Sequence, residues 1–113
     1  MNTFFVFGTV GHIVGMVRDR EDVPCFLFTL YERGDTENDD LKKHSVYVYG
    51  EIGEMCNRMW QQKEENYKIM ACVSGDLHLT KNTSKAGLTY ISTYIRTKKI
   101  EFNFVEKAKK ITE

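Results

Sequence analysis

The sequence predicts an all-β fold: a small five-stranded β-barrel with one helix between its third and fourth strands. Three observations lead to this prediction. Apolar and polar side chains alternate with a period of two over most of the chain, which is typical of half-buried strands. The period changes to that of an amphipathic helix once, after Gly50. The chain has 113 residues and one proline, which allows one modest core and long uninterrupted strands.

The first strand is predicted over residues 3–16, where Gly8 and Gly11 would permit the strong coiling that closes a small barrel. A charged turn follows at 18–22. The apolar start lacks the basic segment and the small-residue cleavage site of a signal peptide, and it is too short to span a bilayer. We therefore expect a cytoplasmic protein without a membrane partner.

The second and third strands are predicted over residues 25–33 and 44–49. In the second strand, Phe26 and Phe28 share one face, because alternate residues of a strand point to the same side. The intervening segment, 34–40, is rich in acidic residues and is expected to form a loop.

One amphipathic helix is predicted from Ile52, and polar residues 61–66 form its end and the following connection. Its apolar stripe consists of Ile52, Met55, Cys56, Met59 and Trp60. Such a stripe normally faces the core, so we expect Trp60, the only tryptophan, to be buried. Met55, Met59 and Met70 are expected to fill gaps in the core.

The fourth strand is predicted over residues 67–81, with a bulge or sharp bend at Gly75. A turn at 82–87 connects it to the last strand, 88–104. Together the two strands form a long hairpin.

A lone helix between the third and fourth strands of a five-stranded barrel is the plan of the OB-fold. We expect residues 1–105 to form this domain and 106–113 to be a short C-terminal tail. The OB-fold most often binds single-stranded nucleic acid on one open face.

Several other classes of site are not supported. Cys25, Cys56 and Cys72 are odd in number and widely spaced, so we expect buried free thiols rather than disulfides or a zinc site. His12 and His78 have no carboxylate or cysteine at metal-ligand spacing, and we expect them at the surface or at a strand edge. No catalytic motif is present. We therefore predict a protein that is not an enzyme and has no cofactor.

The charge distribution is uneven. The formal net charge is zero, which argues against a strong general polyanion binder. Residues 1–40 hold three basic and eight acidic residues, whereas residues 66–100 hold six basic residues and one acidic residue. A basic fourth-to-fifth strand region is compatible with phosphate contacts, and an ordinary solvated hairpin is the alternative interpretation.

Four segments in order carry a family likeness. They are Gly8-Thr-Val-Gly11, Phe26-x-Phe28-x-x-x-Glu32-Arg33, His44-x-Val-x-Val-Tyr49-Gly50 and Val73-x-Gly75-x-Leu77. Their order and spacing resemble the bacterial single-stranded-DNA-binding proteins over residues 2–102. In length, and in segments such as Lys85-Ala-Gly-Leu88, the chain is also similar to primosomal replication protein N, a short relative of that family. The resemblance implies an OB-fold, a homodimer or homotetramer, single-stranded DNA as ligand, and replication proteins as further partners.

The resemblance also implies base-stacking aromatic residues at four places. These hold Gly34, Lys43, Tyr49 and Asn82, so only Tyr49 keeps its ring. The arginines expected along the fourth strand are replaced by His78 and Thr80, whereas Lys81 is retained. Replacement rings can come from Tyr31, Tyr47, Tyr90 and Tyr94.

The third strand carries the most specific candidate site. Tyr47 and Tyr49 share a face with Lys43, a pattern suited to stacking a base and neutralising a phosphate. A tyrosine-rich dimer interface is the alternative interpretation of this face. The full set of candidate nucleic-acid-binding residues is Tyr31, Arg33, Lys43, Tyr47, Tyr49, Lys81, Lys85 and Arg96.

His44 lies on the opposite, core-side face of the third strand. The resemblance places it at a position of subunit contact, so we predict that it belongs to an oligomer interface. A core histidine with satisfied hydrogen bonds is the alternative.

Two functions of different classes follow from the sequence. The preferred one is non-sequence-specific binding of single-stranded DNA in replication, restart or the maintenance of a mobile element. The alternative is a protein–protein interaction module that has kept the barrel and lost most of its nucleic-acid affinity, which the zero net charge and the missing aromatic residues favour. RNA is a third possible ligand, since nothing in the sequence selects against a 2′-hydroxyl.

Overall fold

The computed structural model describes residues 3–32 and 42–107 of the chain. Within these residues, five strands and one helix follow one another in the predicted order. They are β1 (Thr3–Arg18), β2 (Pro24–Glu32), β3 (Lys42–Tyr49), α1 (Gly50–Gln61), β4 (Tyr67–Thr83) and β5 (Thr89–Glu106). The strands close into a barrel in the order β1-β2-β3-β5-β4, with β3 and β5 parallel and the other neighbours antiparallel. The OB-fold prediction is therefore confirmed.

The strands are longer than predicted at several ends. The first continues to Arg18, and β4 and β5 have 17 and 18 residues, so the hairpin between them is the longest feature of the fold. The predicted end of the second strand, Arg33, and the acidic loop at 34–40 lie outside the described residues. No helix in the described part of the chain is both long enough and apolar enough to cross a bilayer.

The predicted irregularity at Gly75 is confirmed. The register between β4 and β5 shifts between Ser74 and Gly75. A side chain at Gly75 would collide with the backbone carbonyl of Arg96, so only glycine allows the two strands to approach this closely. The bulge thereby fixes the register of β5 at Arg96, on the outer face described below.

The predicted helical stripe is partly wrong. Ile52 and Met59 are 41% and 43% exposed, and the buried residues of α1 are instead Gly53, Cys56 and Trp60. The helix packs through Gly53, where any Cβ would collide with the backbone carbonyl of Val48. Because a glycine adds nothing to a hydrophobic pattern, the predicted stripe left out Gly53 while it included the exposed residues Ile52 and Met59 beside the buried Cys56 and Trp60.

Trp60 lies at the centre of the core, as predicted. Its ring meets those of Phe26, Phe28 and Phe102 edge-on, at centroid distances of 5.3, 4.7 and 5.3 Å. The β-sheet contributes the remaining core residues, which include Val6, Leu30, Val46, Val48, Ile69, Ala71, Val73 and Ile95.

The three cysteines are free, as predicted. Cys25 and Cys56 are buried and Cys72 is half-buried. Burial raises the pKa of the Cys56 thiol to about 11, so this side chain behaves as a small apolar residue at neutral pH.

Candidate nucleic-acid interface

A row of three aromatic rings crosses the outer face of the barrel. In the strand register, His78 of β4 lies opposite Tyr94 of β5, and Tyr94 lies opposite Ser45 of β3. Tyr47 is two residues further along β3, on the same face as Ser45. The neighbouring positions Val46 and Ile95 point inward and are fully buried, so the alternation of the strands sends the polar rings outward.

The rings are in direct contact. His78 stacks on Tyr94 with an interplanar angle of 12° and a centroid distance of 5.1 Å. Tyr94 meets Tyr47 edge-on at 5.3 Å. We call His78, Tyr94 and Tyr47 the ring row. All three side chains are half-buried, so the ring row presents aromatic surface to solvent while its geometry is fixed by its own contacts.

A cleft of about 280 Å³ lies at the β3 end of the ring row. Tyr47, Tyr49, Tyr94 and Arg96 line it from β3 and β5, and residues 18–21, at the end of β1 and in the turn that follows, line it from the other side. The Arg96 guanidinium lies over the ring of Tyr49, with Cζ 4.5 Å from the ring centroid, a cation–π contact.

Tyr49 is tied to the turn by a hydrogen bond. Its hydroxyl donates to Oδ2 of Asp19 at 2.9 Å. Burial, reinforced by this hydrogen bond, raises the pKa of Tyr49 well above its usual range. The predicted stacking residue therefore has its hydroxyl committed to Asp19 and one ring face covered by Arg96.

Asp19 also organises the turn. Its Oδ1 accepts hydrogen bonds from the backbone N–H groups of Val23 and Glu21, each at 2.9 Å. These bonds and the one from Tyr49 lower the pKa of Asp19, the Val23 N–H having the largest effect. Because every one of these donors favours the ionised carboxylate, Asp19 is a charged anchor at neutral pH.

The structure places three of the predicted residues at the cleft and four elsewhere. Tyr47, Tyr49 and Arg96 come together there. Tyr31 and Lys43 lie opposite one another further along β2 and β3, with the Tyr31 ring packed over Gly11 of β1. Lys81 is exposed near the end of β4, Lys85 is exposed in the turn after β4, and Arg33 lies outside the described residues. The roles of all eight remain predictions.

His44 occupies an interior position. Its side chain is 11% exposed, its Nε2 lies 3.0 Å from Oε2 of Glu32, and its ring lies 5.9 Å from that of Phe4. Within this chain it has the contacts of the core histidine that the sequence left as the alternative. Its predicted place in an oligomer interface remains untested.

Sequence reasoning missed three features of this face. His78 was expected at the surface or at a strand edge, yet it is half-buried in the ring row, and the β4–β5 register that places it on Tyr94 cannot be seen in either strand alone. Asp19 was noted only as part of a charged turn. An aspartate followed by residues whose N–H groups can reach its side chain is a turn signal, but its bond to Tyr49 spans 30 residues. The neighbouring arginines, Arg18 and Arg20, were missed because only the folded barrel places their turn beside β3 and β5.

Comparisons with known proteins agree on the fold. No protein-family model and no curated protein matches the sequence. Among solved structures, the small single-stranded DNA-binding protein of Streptomyces coelicolor is similar, with a TM-score of 0.65 and 18% identity over 91% of this chain and 96% of that one. The mitochondrial single-stranded DNA binding protein of S. cerevisiae has a TM-score of 0.56 and 8% identity, covering 95% of this chain and 97% of that one. The Plasmodium falciparum SSB in complex with ssDNA has a TM-score of 0.55 and 16% identity, covering 94% and 96%.

Proposed function

We propose that this protein binds single-stranded DNA without strong sequence preference, by stacking bases on the ring row and contacting phosphates with basic residues beside it. The observation that carries the proposal is the contact between His78, Tyr94 and Tyr47 on one face of an OB-fold, next to Arg96. The three similar structures support it, since each is named as a single-stranded-DNA-binding protein or an SSB bound to ssDNA.

The chemistry of the face fits this ligand. A base that stacks on an aromatic ring contributes about 1–3 kcal/mol, and any base can do so because each has a π-face. Arg96 is exposed at the edge of the ring row, where it can neutralise a phosphate between two stacked bases. The protein would act in replication, in restart or on a mobile element, as a cytoplasmic binding protein rather than an enzyme. The similarity to primosomal replication protein N belongs to this proposal.

The test is fluorescence anisotropy of a labelled oligo(dT) of roughly 35 nucleotides, several times the site of one barrel. We expect sub-micromolar binding at low salt that weakens as salt rises. A parallel titration with oligo(rU) separates DNA from RNA binding. Absence of binding at low salt would contradict the proposal and leave the protein–protein interaction module as the function to pursue.

We further propose a homodimer or homotetramer that uses the outer face of β1. Phe5 and Phe7 are 69% and 59% exposed, and both lie on the same side of this strand. Two large rings on a strand surface are typical of a site covered by another protein surface. The double variant Phe5→Ser/Phe7→Ser is expected to be monomeric in analytical ultracentrifugation, with Leu79→Ser, another exposed apolar residue, as its matched control. A monomeric wild type would contradict this assignment.

A further inference from the structure

The cleft beside the ring row contains a carboxylate that phosphate binding does not explain. Glu21 lines the cleft together with Arg20, opposite the tyrosines of the sheet. A carboxylate at a DNA-binding face repels phosphates and lowers affinity, unless it contacts a hydrogen-bond donor of the ligand. We propose that the cleft holds one base and that Glu21 selects guanine there. This inference rests on the proposed function.

The backbone that carries Glu21 is held in place before any ligand arrives. The Glu21 N–H donates to Asp19 Oδ1, and Asp19 is itself tied to Tyr49. The backbone closes the same turn with a bond from Asp22 N–H to the Asp19 carbonyl at 3.0 Å, and Asp22 takes a positive φ of 64°. A turn fixed in this way presents its side chains at lower entropic cost than a mobile loop.

The two acidic side chains of the cleft, Asp19 and Glu21, differ in whether their carboxylate oxygens are free to accept a hydrogen bond from a ligand. Both oxygens of Asp19 already accept hydrogen bonds from the protein. Among the residues that the structure describes, no side chain pairs with Glu21, and none pairs with Arg20. Arg18, in contrast, donates to the carbonyl of Asp22 at 2.8 Å. Glu21 and Arg20 are therefore the charged groups of the turn that are available to a ligand.

A free carboxylate beside aromatic rings discriminates among the four bases. Guanine presents two adjacent donors, N1–H and N2–H, which a carboxylate can accept together in a bidentate pair. Thymine offers a single N–H between two carbonyls, and cytosine and adenine place a ring-nitrogen acceptor beside their amino group. Arginine pairs bidentately with O6 and N7 of guanine, so Arg20 can contact the same base. The cleft volume of about 280 Å³ lies at the lower limit of small-molecule sites, which suits one base rather than a longer segment.

The experiment is a competition against labelled oligo(dT) by three unlabelled oligonucleotides of equal length. One is all thymine, one carries isolated guanines separated by thymines to prevent quadruplexes, and one carries inosine in place of each guanine. We expect the guanine oligonucleotide to compete about tenfold better than oligo(dT), the effect of one bidentate pair. Inosine lacks the N2 amino group and should lose most of that advantage.

The variant Glu21→Gln assigns the effect to this residue. It should abolish the guanine preference, because an amide offers one acceptor where the carboxylate offers two. Glu54→Gln is the matched control: it removes the same charge from an exposed position on α1, so it should strengthen binding of every oligonucleotide alike and keep the preference. Equal competition by guanine and thymine in the wild type, or a guanine preference that survives in Glu21→Gln, would overturn the inference while the proposed function stands. Failure of every oligonucleotide to bind would overturn both.

Discussion

Two aromatic clusters of this barrel both contain edge-on ring contacts and differ in their surroundings. In the core, Trp60 meets three phenylalanine rings edge-on at 4.7 to 5.3 Å. In the ring row, Tyr47 meets Tyr94 edge-on at 5.3 Å, and β5 contributes to both clusters. Trp60 is 2% exposed, whereas the ring row is half-buried and lies beside arginines and a charged turn.

Ring contacts alone therefore do not mark a binding face. Edge-to-face pairs contribute about 0.5–1.5 kcal/mol each beyond the area that they bury, wherever they lie. What distinguishes the ring row is the apolar surface that remains to be covered, together with nearby positive charge. The Trp60 ring is almost fully covered in the folded protein, whereas the rings of the ring row keep exposed surface that a ligand can cover.

The largest expected effect is on the core. Trp60→Ala should lower the free energy of unfolding by about 3–5 kcal/mol, because it leaves a large cavity among Phe26, Phe28 and Phe102. Urea denaturation followed by circular dichroism measures the change, with Tyr47→Ala as the control on the outer face. Similar losses of unfolding free energy in the two variants would show that the ring row stabilises the fold as the core does.

The second prediction concerns the ring row and DNA. Tyr47→Ala and Tyr94→Ala should each weaken binding to oligo(dT) by about tenfold, because each removes one stacking surface. Their free energies of unfolding should change much less than that of Trp60→Ala. Tyr67→Ala, a half-buried tyrosine outside the ring row, is the matched control for anisotropy. Equal weakening by all three variants would contradict the assignment of the binding face.

The third and smaller effect is electrostatic. Arg96→Gln should lower the slope of log affinity against log salt by about one unit, since it removes one phosphate contact. Lys68→Gln removes the same charge from an exposed position at the far end of β4 and should leave the slope unchanged. A slope that is unaffected by Arg96→Gln would exclude this arginine from the phosphate path.

The fold could be predicted from local patterns, namely strand alternation and the single change to a helical period. The site was harder to predict, because it depends on contacts between residues far apart in the sequence. Strand faces such as that of Tyr47 and Tyr49 follow from a period of two, and the barrel follows from the place of the single helix. The contacts of His78 with Tyr94 and of Asp19 with Tyr49 depend on strand register and on a turn 30 residues away. No local pattern encodes these distances.

The same limit explains the error in the helix. The apolar stripe was right for Cys56 and Trp60 and wrong for Ile52 and Met59, because Gly53 makes a close contact and has no side chain to count. Hydrophobic patterns record which side chains prefer burial, whereas the position of a helix on a barrel also depends on where backbone can approach backbone.

The smallest predicted effect concerns the hydroxyl proton of Tyr49. Burial and its hydrogen bond to Asp19 raise the pKa of Tyr49, so its hydroxyl should stay neutral in the folded protein at a pH above the ordinary tyrosine value of about 10. Tyrosinate absorbance during an alkaline titration measures this, and the curves of the wild type and of Tyr49→Phe should separate only above about pH 10. Curves that already separate below that pH would show that the hydrogen bond to Asp19 does not hold in solution.

The sign of the linked stability follows from the direction of that shift. Above the ordinary tyrosine pKa of about 10, the unfolded chain releases the Tyr49 proton while the folded chain still holds it. The contribution of this proton to stability is therefore fully present below about pH 10 and is lost as the pH rises toward the folded-state pKa.

The stability contribution of Asp19 depends on pH in the opposite direction. Because its pKa is lowered in the folded state, the contribution is present at neutral pH and is lost as acid protonates the carboxylate. Asp19→Asn should flatten the acid limb and lower the pKa of Tyr49 together, because one hydrogen bond links the two groups.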